Sequence, residues 1–143
     1  MASADLESLL NAIPSILAQD SDYPLDRTLL YVEAEPGVIG PSIFKDRGNH
    51  IIFRMPPHEL SEALLDVWEG LDPDERWAEM EYVVTDNKFD VAFTYTEEID
   101  PAEYHFERRD RIVRKYFGDK PIVYPSLDDD GNVFELPPRS APP

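Results

Sequence analysis

The chain contains no cysteine among its 143 residues, which excludes disulfides, thiolate nucleophiles and zinc sites of the cysteine type. Glycine is scarce, with six residues, and none falls in a G-x-G-x-x-G or P-loop pattern, so no backbone cradle for phosphate is expected. The three histidines, His50, His58 and His105, stand in no H-E-x-x-H or comparable ligand spacing, so no metal is expected either. There is no G-x-S-x-G nucleophile elbow. No apolar run approaches the ~20 residues of a membrane-spanning helix. The first nineteen residues lack the basic region of a signal peptide, so the expected location is the cytoplasm. Basic residues are also few: thirteen Lys and Arg face thirty Asp and Glu, a net charge of −17. Such a surface repels nucleic acid and anionic lipid, and it speeds encounter with basic partners.

What is present suffices for a core, since 42% of residues are hydrophobic. One α+β domain is expected over residues 1–135, followed by a proline-rich tail at 136–143 without regular structure. Leu6, Leu9, Leu10, Ile13, Ile16 and Leu17 recur at helical spacing, with Ser3 as the expected N-cap and a kink or break at Pro14. Residues 28–34, 42–45 and 50–55 have strand composition and are separated by Pro36-Gly37 and Asp46-Arg47-Gly48-Asn49 turns. After Pro56-Pro57, a second amphipathic helix places Leu60, Ala63, Leu64, Val67, Trp68 and Leu71 on one side and ends at Gly70. Residues 77–85 and 88–95 form a hairpin around Asp86-Asn87, with Phe89, Val91, Phe93 and Tyr95 on one face. Asp100, Pro101 and Glu103 fit N-cap, N1 and N3 of a last helix, which draws Phe106, Ile112, Val113, Tyr116 and Phe117 to its apolar side and stops at Gly118. Arg109 and Asp110 fall on that side as edge residues or a partly buried pair. Residues 121–124 allow one more short strand. This order is not alternating βαβ. It predicts a mostly antiparallel sheet of about five strands with three helices packed on one side.

Chemistry is not expected from this pattern. Asp128-Asp129-Asp130-Gly131 suggests a calcium loop, but alignment on Gly131 puts Pro137 where a bidentate Glu is required. The informative feature is the distribution of charge. Residues 59–86 hold ten acids against Arg76 alone, a net of −9. Glu97, Glu98, Asp100 and Glu103 form a second acidic cluster. Residues 105–120 hold six bases and three acids, a net of +3 that suits the C-terminal half of a helix. The candidate partner-binding residues are therefore Glu69, Asp72, Asp74 and Glu75 with Glu97, Glu98, Asp100 and Glu103. One interface covers only ~10% of a small protein's surface, so one cluster is expected to dominate.

The stretch from Trp77 to Gly118 carries a further signal: Arg76-Trp77, a strand with Met80 and Tyr82, the turn Asp86-Asn87-Lys88-Phe89, then Phe93-Thr94-Tyr95. An acidic loop follows, and a helix bearing Glu107-Arg108-Arg109 and ending in Tyr116-Phe117-Gly118. It resembles the YezG-like immunity (antitoxin) proteins of bacterial toxin systems. Asn87 stands where that family has a turn glycine, and Ile112 where its helix often has a tryptophan. The resemblance implies an α+β fold, no cofactor, no catalytic residue and a cognate toxin encoded alongside. An acidic inhibitor also suits a toxin with a basic, nucleic-acid-binding cleft. A rival expectation from the same composition is an acidic secretion chaperone, dimeric and binding an effector segment through apolar grooves.

Overall fold

A computed structural model describes residues 2–124; the expected tail and the Asp128–Gly131 turn lie outside them. The element order is α1 (Ala2–Leu17), β1 (Thr28–Glu35), β2 (Val38–Asp46), β3 (Ile51–Arg54), α2 (His58–Glu69), β4 (Glu79–Thr85), β5 (Lys88–Thr94), α3 (His105–Phe117) and β6 (Ile122–Val123), with 3₁₀ turns at Pro73–Glu75 and Thr96–Glu98. The strands form one sheet in the order β5-β4-β1-β2-β3-β6. Every pairing is antiparallel except β3 with β6. The fold is α+β, with six strands rather than five.

The expectation of helices on one side is corrected. Alternate residues of β1 enter two separate cores. Leu30 and Val32 pack with Leu9, Ile13, Ile16 and Leu17 of α1 and Leu60, Leu64 and Trp68 of α2. Leu29 and Tyr31 pack with Phe44, Ile51 and Ile112, Val113 and Phe117 of α3. The central strands thus have no solvent face, which is why β1 reads as a near-continuous apolar run. Phe89, Val91, Phe93 and Tyr95 lie against the first core as expected, only partly buried because β5 is an edge strand. Asp86 and Asn87 adopt φ of 54° and 64°, the left-handed pair that a two-residue hairpin turn requires.

Two helix starts are corrected as well. The first helix already includes Ser3, so that residue is not its cap. It also runs through Pro14 to Leu17 without a break. Proline has no N–H to give the carbonyl four residues back, yet that carbonyl, Leu10 O, is not orphaned: Tyr82 Oη donates to it at 2.6 Å from β4. The last helix begins at His105, with Tyr104 in the extended cap position, not at Asp100-Pro101. Glu103 does not reach back to cap because its carboxylate receives Arg108 and Arg111. Asp100 instead closes a turn, accepting from the Ala102 N–H at 2.9 Å.

Candidate partner-binding surface

The pairing of β1 with β4 decides where charge sits. Glu79 and Glu81 alternate with Met80 and Tyr82 and so point towards α3. Both are buried, at 3% and 5% exposure, which corrects their place in the surface charge of residues 59–86. Buried carboxylates require counter-charges and hydrogen bonds, and α3 supplies them. Arg108 Nε donates to both Glu79 oxygens at 2.8 and 2.6 Å, and Tyr31 Oη donates to Glu79 at 2.6 Å. Lys115 Nζ and Tyr116 Oη donate to Glu81 at 2.6 and 2.7 Å. Burial, with the Glu81 carboxylate beside it, holds the Tyr116 phenol above its ordinary range.

Five of the six bases of residues 105–120 are paired with acids of the same domain. Arg111 pairs with Glu103, Arg114 with Asp110 and Asp119, and Lys120 with the buried Asp46. Arg109 does not pair with Asp110; its guanidinium lies over the rings of Phe44 and Phe106 at 5.5 and 5.2 Å. Phe106 is not on the buried side of α3 but 59% exposed, and Arg108 takes the inward position. The single base of the acidic segment, Arg76, also turns inward. It lies over the Trp68 ring and donates to the Glu69 carbonyl at 2.7 Å.

The two acidic clusters come together at one end of the sheet. The loop entering β4 and the loop leaving β5 are joined by Ala78 N–H donating to Thr94 O at 2.8 Å and by Trp77 against Phe93, ring centroids 5.5 Å apart. Glu75 and Tyr95 line the same narrow cleft of about 160 Å³. Glu69, Asp72, Asp74, Glu75, Glu97, Glu98 and Asp100 are exposed. Of these, Glu98 accepts from the Tyr95 N–H at 2.8 Å and so also shapes its own turn. Glu103 is the exception among the candidates. It is half-buried and bound to Arg108 and Arg111, which hold its carboxyl below the usual carboxylate range, so its role is to fasten the loop to α3. One interface at this end can engage both clusters.

The same end holds residues that sequence reasoning missed. Glu33 faces Glu79 across the β1–β4 pairing, and the β1–β2 turn presents Glu35 and the 54% exposed Val38. Tyr104, 73% exposed, and Phe106 lie at the start of α3. Only long-range strand pairing brings Glu33 beside residues 97–105; no local pattern carries that information. Among the described residues no group of His, Asp and Glu is arranged to hold a metal, and no helix is long and apolar enough to cross a membrane.

Fold and surface together define an α+β domain whose α3 bases are mostly paired with its own acids and which carries a dense group of exposed acids at one end of the sheet. A scan against models of protein families finds no match, and neither does a search of curated proteins.

Proposed function

We propose that this protein is an immunity (antitoxin) protein that binds a cognate toxin domain and blocks it, without catalysis or cofactor, from the cytoplasm. The observation that carries the reading is the dense group of exposed acids at one end of the sheet. Seven exposed carboxylates from the end of α2 and two loops lie at one end of the sheet, while Arg108, Arg111 and Lys115 of α3 are held by Glu79, Glu103 and Glu81. A field of one sign concentrated on one surface attracts a basic partner and repels nucleic acid and anionic lipid. The exposed Val38, Tyr104 and Phe106 near these acids add the apolar and aromatic contact that protein interfaces favour. The resemblance of residues 77–118 to YezG-like proteins supports the same reading, and a toxin that acts on nucleic acid, such as a nuclease, supplies a suitably basic surface.

The test is co-expression with the product of the adjacent gene. The expected result is that growth arrest by that product is relieved and that the two proteins co-purify as folded partners. Absence of relief, together with a dimer of this chain that captures only an unfolded effector segment, would replace this reading with the chaperone.

A further inference from the structure

A cleft of about 450 Å³ opens between the β1–β2 hairpin and the loop that leads into α3. Val38, Ala78 and Ile99 contribute to its lining, while Ala34 packs against the core on the other face of the sheet. Four acids line it, Glu33, Glu35, Glu79 and Glu103, against one full cation, Arg108, and His105. Arg108 is already spent on Glu79 and Glu103. Glu33 is left facing Glu79 across the strand pair, a like-charge juxtaposition that costs stability unless it is compensated. Its nearest basic side chain is the exposed His105 ring, 3.7 Å away and beyond hydrogen-bond distance. Burial raises the Glu33 carboxyl above its ordinary value and Glu79 adds to the rise, against the pull of His105 and of Arg109, which makes no ion pair with it. A half-buried carboxylate with no cation at hydrogen-bond distance, in a cleft that also has apolar lining residues, is complementary to a cation on an apolar stem.

We propose that this cleft receives one arginine or lysine side chain of the basic polypeptide partner, with its stem on Val38 and Ile99 and its charge on Glu33. This rests on the immunity reading for the identity of the partner, but not for the chemistry of the cleft. The charged head gives Glu33 the cation at hydrogen-bond distance that it lacks, and the exposed Tyr104 beside the cleft gives the flanking residue of the partner an aromatic surface.

The test is an NMR titration of the full chain with a capped peptide carrying a single Leu-Arg pair, against the same peptide with citrulline for arginine. The arginine peptide should give saturable shifts at Val38, Gly40, Ile99 and the His105 ring. The citrulline peptide should bind at least about tenfold more weakly, the scale of one charge-assisted hydrogen bond. Glu33→Gln with Glu35→Gln should weaken the arginine peptide about tenfold on the same scale. These changes relieve like-charge repulsion and should leave the fold intact, and Val38→Lys, at an exposed site, should block the cleft independently. Shifts spread over the acidic surface without saturation, or binding unchanged in both variants, would overturn the proposal. If the adjacent gene's product binds the variants as well as the wild type and the peptide shifts lie elsewhere, the cleft fails while the immunity reading stands. If that product is not bound at all but the peptide behaves as expected, the immunity reading fails and the cleft stands.

Discussion

Replacing Tyr82 by phenylalanine isolates a contact that links α1 to the sheet. Pro14 cannot donate to Leu10 O, and the Tyr82 hydroxyl does so instead at 2.6 Å. Tyr82→Phe keeps the ring, which stacks on Phe89 with centroids 4.7 Å apart, and removes only the donor. The site is partly buried, so the carbonyl regains some water, and the expected cost is about 1–2 kcal/mol rather than the full penalty for a buried orphan. For a domain of this size that is a fall in melting temperature of roughly 3–8 °C. The decisive background is Pro14→Ala, which restores an N–H to Leu10 O and favours the helix by up to ~3 kcal/mol before unfolded-state effects. In that background Tyr82→Phe should cost about 1 kcal/mol less, a coupling that a double-mutant cycle by urea denaturation resolves. An equal cost in both backgrounds would refute the argument that the hydroxyl stands in for the missing helix donor.

Arg108→Met leaves Glu79 buried without its cation and should destabilise by about 3–5 kcal/mol, whereas Glu79→Gln combined with Arg108→Met should cost clearly less, as read by urea denaturation. Asp46 is desolvated, which raises its pKa. Lys120, the Gly48 N–H and Arg27 outweigh this and hold its carboxyl below the ordinary 3.8. A depressed folded pKa contributes stability that is fully present above the unfolded value. The advantage of wild type over Asp46→Asn should therefore be constant above about pH 4 and shrink as pH falls through the folded pKa. An advantage that stays flat to the acid limit would contradict the pairing. For the candidate surface, Glu69, Asp72 and Asp74 to Lys and Glu97, Glu98 and Asp100 to Lys should each slow association with the proposed basic partner; the first set should leave the melting temperature within a few degrees, whereas the second also removes the turn contacts of Glu98 and Asp100 and should cost about 1–2 kcal/mol. A toxin indifferent to both sets would point to a partner held elsewhere.

The elements were legible because period governs them. The stripe from Leu9 to Leu17 and the alternation of Phe89, Val91, Phe93 and Tyr95 announce their structures without any tertiary information. The start of α3 was not legible, although Asp100-Pro101 and Glu103 have the local signature of a cap. Ion pairs from Glu103 to Arg108 and Arg111 override it, and the helix begins five residues after Asp100. The charge map was legible in sum but not in place. Glu79 and Glu81 read as a solvent face because their neighbours Met80 and Tyr82 read as a core face. In a sheet covered on both sides, β4 has no solvent face, and the acids are buried against bases that the sequence presents as a surface run. The convergence of Glu75 with Tyr95, and of Glu33 with His105, depends on strand pairings far apart in the chain, which no local pattern encodes.

The central claim is that the acidic end of the sheet finds a basic partner through its field. The direct measurement is stopped-flow association with the product of the adjacent gene at low and at high salt, for the wild type and for the two triple reversals. Exposed charges act through long-range steering that salt screens. The wild-type association rate should therefore fall by about tenfold or more between the two salt conditions. Each reversal should be slower at low salt and should flatten that dependence. Association that is insensitive to salt, and equally fast in all three proteins, would contradict the claim.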